Sequence, residues 1–268
     1  MNSEKLFNGE QDSLLKGSQK PGTDYNNNGT FAPVMHFKTL CTLLAYAAVN
    51  KLELRQFDIK GTYLNGYLNE TIYMNQPPNF EDGSEKVCLL KQSLYGLKQA
   101  RNVWNQELNW VLCTIDFNQL KMDYCCYIKT NKEDFSILVV WADDFLALST
   151  KEHLNDDIEC NLNIHFKVKS LGQPSLLLGI KINISGDFIS LSQTHYIDFL
   201  LEKYGLMDAN PVSTPMDLNV KLDIETKNKE QEAEANEDLK INHSYAQLIG
   251  SLMYLALESH PDISYAVN

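Results

Sequence analysis

Asp143 and Asp144 stand side by side in the stretch FSILVVWADDFLALST, Phe135 to Thr150, between two apolar runs. That is how a tight β-hairpin with carboxylates at its tip is written. Charged side chains flanked by core strands are costly unless paired or coordinated, and hard divalent cations take oxygen ligands, so the pair reads as a Mg²⁺ site. The same two residues also suit a solvated turn, because Asp tolerates turn geometry. A third carboxylate from elsewhere favours the metal. Asp58 offers one: Leu52 and Leu54 alternate with polar residues, and the run continues through Phe57, Asp58 and Ile59 to the break at Gly61. Two metal ions at a phosphoryl-transfer site need several carboxylates converging from different strands.

Helices must hold these strands in place. Leu40, Leu43, Leu44, Ala47 and Ala48 share one face of a helix from Thr39 to about Asn50, and Ala100, Val103, Trp104, Leu108, Val111 and Leu112 share one face of another. Leu154, Ile158 and Leu162 mark a third. Cys125 and Cys126 fall in a short strand before the hairpin, where alternation buries at most one of them. Leu176 to Ile182 reads as a further strand, followed by a turn at Ser185-Gly186-Asp187. Then comes a helix capped by Ser192 or Thr194, buried through Ile197, Leu200, Leu201 and Tyr204, and stopped by Gly205. Tyr245, Leu248, Ile249, Leu252 and Met253 form a last apolar helical face.

With 268 residues, 44% hydrophobic and 22% charged, the chain can bury a large core, and no apolar run nears the length of a membrane span. Six cysteines without ligand spacing read as buried, reduced thiols in an intracellular protein. The net charge of −12, with only Arg55 and Arg101 as arginines, excludes a grip on nucleic acid through the overall field. Any phosphate contact has to come from a local basic groove. Asp223 to Lys240, with seven acids and three lysines, reads as an exposed acidic linker. Met1 to Asn28 is polar and aperiodic, with a loop at Asn26 to Gly29.

Several blocks carry a resemblance. FDIKGTYLNGYLNETIYMNQPPNF (Phe57 to Phe80), VCLLKQSLYGLKQA (Val87 to Ala100), WADD (Trp141 to Asp144), LLLGI (Leu176 to Ile180), STPMD (Ser213 to Asp217) and the terminal HPDISYAVN look like the reverse transcriptase of Ty1/copia-type LTR retrotransposons. The likeness runs in order from about Leu15 to Asn268. It implies an α+β right-hand polymerase with an antiparallel palm sheet backed by helices, partial fingers and a helical thumb. Asp58, Asp143 and Asp144 would hold two Mg²⁺ ions, with Mn²⁺ as a substitute, for attack of a primer 3′-hydroxyl on a dNTP. Tyr63 would close the sugar pocket against a 2′-hydroxyl, although a strand-end aromatic also suits its position. Lys98 and Gln99 would contact template and nucleotide, or else simply open a solvated helix. Lys169 would face the leaving pyrophosphate, or guard a strand edge.

The resemblance also implies boundaries and partners. Truncated fingers would occupy residues 1–56, the palm 57–184 with an inserted fingers segment at about 64–100, the thumb 185–222, the acidic linker 223–240, and 241–268 the start of a connection toward an RNase H domain that this chain lacks. The partners would be an RNA or DNA template-primer, dNTPs and other polyprotein segments. The location would be cytoplasmic, inside a virus-like particle for an active element. There are departures: Glu10 and Asp12 stand where the family's finger strand carries lysine and arginine, and Arg101-Asn102 replaces a Pro-Arg pair. Charge reversal beside a triphosphate lowers nucleotide affinity, so a relic that keeps the palm without polymerase activity is the alternative.

Overall fold

Strand-forming β-branched and aromatic residues alternate with helical periods along most of the chain, and the elements follow that pattern. The computed structural model describes residues 30–84, 86–186, 188–216 and 245–268. Glu10 and Asp12, the loop expected at Asn26 to Gly29, Asp187 of the expected turn and the linker expected at Asp223 to Lys240 lie outside them. Contacts divide the chain into two compact units, one ending at Pro174 and one running from Ser175 to Asn268.

The first unit contains α1 (Phe37–Asn50), β1 (Glu53–Ile59), a 3₁₀ turn (Thr62–Asn65), β2 (Tyr67–Met74), β3 (Cys88–Gln92), α2 (Ala100–Thr114), β4 (Asn118–Gln119), β5 (Cys126–Asn131), β6 (Asp134–Trp141), β7 (Asp144–Ser149), α3 (Glu152–His165) and β8 (Val168–Gly172). Six strands form an antiparallel sheet in the order β4-β5-β6-β7-β1-β8, and β2 pairs with β3 in a separate ribbon. On one face Phe57, Ile59, Tyr127, Leu138, Val140, Phe145 and Ala147 pack against Trp104, Leu108, Val111 and Leu112 of α2 and Ile158 and Leu162 of α3. By alternation the other face carries Ile137, Val139, Leu146 and Leu148, all buried. There α1 crosses, with the Tyr46 ring 6.2 Å from Phe135.

Both Cys125 and Cys126 are buried, which corrects the expectation of at most one. Cys125 precedes β5 in a turn where its N–H donates to Asp123 Oδ1 at 3.0 Å, so strand alternation does not apply to it. Burial, reinforced by the Asp123 charge, pushes both thiols up to about 12. The other four cysteines form no disulfide among the described residues and are partly or fully exposed, so the expectation of buried thiols holds only for this pair.

The second unit contains β9 (Leu176–Leu177), β10 (Ile180–Ser185), β11 (Phe188–Ser192), α4 (Thr194–Lys203), α5 (Tyr245–Glu258), a 3₁₀ turn (Pro261–Ile263) and α6 (Ser264–Val267). Its sheet runs β11-β10-β9. The expected single strand from Leu176 is instead a hairpin, because Leu178 (φ 52°) and Gly179 (φ 78°) both take left-handed backbone, as a two-residue loop requires. Leu200, Tyr204 and Leu255 centre its core, whereas Tyr245 and Met253 are exposed rather than buried. Among the described residues no helix is long and apolar enough to cross a membrane.

Candidate active site

The hairpin that carries the aspartates is built by sequence in a direct way. Apolar β6 and β7 fix Trp141 opposite Asp144, leaving Ala142 and Asp143 as the tip. Ala142 sits at φ 44°, a conformation that turns the chain within two residues. The Asp143 carbonyl accepts the Ile59 N–H at 3.1 Å, tying the tip to β1.

Register then does the assembly. Asp58 pairs with Asp144 on one side and with Lys169 on the other. Directly opposed residues of antiparallel strands share a face, so Trp141, Asp144, Asp58 and Lys169 form one row across β6, β7, β1 and β8. This face is opposite to the one packed on α2 and α3, since Asp58 alternates with Phe57 and Ile59. The acidic row therefore shares the face of Ile137, Val139, Leu146 and Leu148.

Electrostatic crowding is concentrated on Asp144. Burial raises its pKa above the ordinary carboxylate value, the negative charges of Asp58 and Asp143 raise it further, and an amide hydrogen bond from Gln56 at 3.4 Å opposes them. Asp143 Oδ2 accepts from the Tyr95 hydroxyl at 3.5 Å, whereas Oδ1 is buried and meets no hydrogen-bond partner among the described residues. Partial burial pushes the Tyr95 hydroxyl up to about 12, with Asp143 and Tyr63 adding to it, so it remains a donor at neutral pH. The Tyr63 ring meets that of Tyr95 edge to face, with centroids 4.7 Å apart.

Of the residues singled out from sequence, Asp58, Asp143, Asp144 and Lys169 are thus brought together by the sheet, and Tyr63 joins them through Tyr95. Lys98 is exposed at the entry to α2. Gln99 is buried and directs its amide to Glu70 Oε2 at 3.1 Å. Sequence reasoning missed the contact of Tyr95 with Asp143 and the indole of Trp104, whose N–H donates to the Ala142 carbonyl at 3.2 Å. Arg55, one of the two arginines, is clasped by Glu152, Asp156 and Glu159 of α3, which takes it out of reach of a phosphate.

A hard divalent cation fits the donor set. Asp58, Asp143 and Asp144 offer carboxylate oxygens, that of Asp143 Oδ1 orphaned, and burial together with their mutual repulsion, which a cation relieves, raises the pKa of Asp144. In the side-chain positions as they stand, no three His, Cys, Asp or Glu groups among the described residues converge into a metal-holding cluster.

The reverse transcriptase (RNA-dependent DNA polymerase) family matches residues 13–218. The Retrovirus-related Pol polyprotein from transposon TNT 1-94 of Nicotiana tabacum is 35% identical over 260 residues, covering 95% of this chain and 19% of that polyprotein. The corresponding polyprotein from transposon RE1 of Arabidopsis thaliana is 34% identical over 258 residues, covering 95% of this chain and 17% of its own length. The putative transposon Ty5-1 protein of Saccharomyces cerevisiae is 30% identical over 215 residues, covering 79% of this chain and 67% of that protein. The chain therefore spans less than a fifth of the two plant polyproteins. No solved structure matches it. A mixed helical and antiparallel fold with an acidic row on its sheet, and relatives of this kind along nearly the whole chain, place it in the reverse transcriptase family, as a reverse transcriptase domain of copia-type retrotransposon Pol polyproteins.

Proposed function

We propose that the chain is an RNA-directed DNA polymerase domain that extends a primer 3′-hydroxyl with dNTPs on an RNA or DNA template. The observation that carries this reading is the register pairing of Asp58 with Asp144 beside the orphaned oxygen of Asp143. Residues 57–184 act as palm, about 64–100 as an inserted fingers segment, 1–56 as further fingers, 185–222 as thumb, 223–240 as a linker, and 241–268 as the start of a connection toward an RNase H domain.

Asp58, Asp143 and Asp144 would hold the metal ions by carboxylate oxygens: the register sets Asp58 beside Asp144, and Asp143 follows at the adjoining hairpin tip. When bound, two Mg²⁺ ions, for which Mn²⁺ substitutes, supply Lewis acidity at the primer hydroxyl and at the departing pyrophosphate. Lys169 places an ammonium beside Asp58, on the side away from Asp144, where it faces phosphate. Tyr63, propped by Tyr95, excludes a ribose 2′-hydroxyl by contact with its ring. Lys98 and Gln99 line the floor beneath template and nucleotide. The work proceeds with other polyprotein segments as partners, inside a cytoplasmic virus-like particle.

Primer extension on a homopolymeric RNA template with a DNA primer, in Mg²⁺ and in Mn²⁺, tests this. Incorporation that vanishes in the Asp143→Asn/Asp144→Asn variant is the expected result. Absence of incorporation by the folded protein overturns it and favours the second reading, a non-catalytic relic, for which the charge reversal at Glu10 and Asp12 speaks.

A further inference from the structure

We infer that Trp104 is a positioning residue for the Asp143–Asp144 pair, acting through the backbone of Ala142. The inference rests on the reading of those aspartates as metal ligands. Ala142 lies at φ 44°, where the Cβ of an L-residue crowds its own backbone at a cost of roughly 1–2 kcal/mol. Only Ala142 and Asp143 join β6 to β7, so relaxing Ala142 to an ordinary conformation swings the peptide that carries Asp143. Two clamps oppose that swing. On one side Ile59 of β1 donates its N–H to the Asp143 carbonyl at 3.1 Å, and on the other the Trp104 indole donates to the Ala142 carbonyl at 3.2 Å.

Trp104 is built to act as a fixed donor. It is 3% exposed and stands edge-on to Phe166 with ring centroids 5.0 Å apart, so the indole cannot turn away from the tip. The same turn of α2 also seats the end of the Tyr63 turn. A Cβ on Gly66 would lie 2.9 Å from Val103 Cγ1 and 3.2 Å from the Trp104 backbone nitrogen, which is an approach that glycine alone allows. One helical turn therefore sets the carboxylate tip and the sugar-side aromatic relative to each other.

The distinguishing test is a double-variant cycle read by Mn²⁺ binding to the full chain, by titration calorimetry without nucleic acid. Trp104→Phe keeps an aromatic ring in the core and removes the N–H. Loss of a hydrogen bond that holds the tip should weaken Mn²⁺ binding about fivefold. Ala142→Gly provides the rescue, because glycine enters the left-handed region about as readily as the right-handed one and a glycine tip has less need of the clamp. In the Ala142→Gly background, Trp104→Phe should change Mn²⁺ affinity less than about twofold, while its effect on melting temperature stays the same in both backgrounds. An equal loss of affinity in both backgrounds, or no loss in either, overturns the inference while leaving the metal reading in place. A wild-type chain that binds no Mn²⁺ overturns both.

Discussion

Asp58 and Asp144 are direct cross-strand partners, so two carboxylates stand side by side where β1 and β7 meet beside the hairpin tip. Like charges so placed repel one another and destabilise the strand pair that presents them. Burial, Asp58 and Asp143 together hold the Asp144 carboxyl above its ordinary pKa. A carboxylate whose folded pKa is raised contributes stability that is fully present below its unfolded value, near about 4, and lost as pH climbs through the folded value. Asp144→Asn removes that loss. Its melting temperature should exceed wild type by roughly 1–3 °C at neutral pH, a figure kept small by the partial exposure of the site, and the gap should close on acidification toward ~4. Calorimetry across pH reads it, and Mg²⁺ should stabilise the wild type more than the variant.

The Tyr95 hydroxyl donates a hydrogen bond to Asp143 Oδ2 over 3.5 Å, a long contact. Tyr95→Phe should leave the melting temperature nearly unchanged and reduce primer extension by about two- to fivefold, the yield of one weak hydrogen bond. Steady-state kinetics should assign the loss to kcat rather than to the KM for dNTP.

Lys169 is exposed and opposite Asp58. Lys169→Gln should alter stability by less than about 0.5 kcal/mol, as surface substitutions do. If the ammonium meets phosphate, single-turnover incorporation should fall by about tenfold or more. An unchanged rate would reduce Lys169 to an edge residue.

Gly66 backs directly onto Val103 and Trp104. Gly66→Ala should cost about 1–3 kcal/mol through overpacking and push the Tyr63 turn off α2. Discrimination against ribonucleotides should weaken along with it, measurable as the ratio of rNTP to dNTP incorporation.

Asp123 is 6% exposed and accepts hydrogen bonds from the His36 N–H, the Thr39 hydroxyl and the Cys125 N–H. It fastens the start of α1 to the entry of β5. Asp123→Ala strands three donors and should lower stability by about 3 kcal/mol, with a fall in melting temperature of roughly 6–12 °C.

The residues that were readable from sequence are those whose environment is set by their own neighbours. Ala100, Trp104, Leu108, Val111 and Leu112 declare α2 because one helical face is apolar and the other is not. Asp143 and Asp144 interrupt a β-branched run, and a hairpin tip is the local solution. Leu178 and Gly179 concealed a turn inside an apolar run, since the left-handed backbone that bends it leaves no polar mark except the glycine. Cys125 and Cys126 misled because alternation presumes one dry and one wet face, whereas a turn bonded to Asp123 buries both. The Tyr95 contact spans 48 positions and the Trp104 clamp 38, and neither spacing has a local signature.

The interior place of β1, paired along both edges, has a consequence for how the chain is made. Both of its neighbours, β7 and β8, lie far downstream, and Gln56 meets Asp144 across 88 positions. At ribosomal speeds of about 5–20 residues per second, β1 leaves the tunnel on the order of 5–20 s before its first partner. During that interval a strand that carries Leu54, Phe57 and Ile59 has two open edges, each a template for wrong pairing between unfinished chains. The acidic row also forms late. Its two carboxylates meet when β7 pairs with β1, and β8 then adds Lys169, so a chain that ends before Asp144 holds Asp58 without its partner.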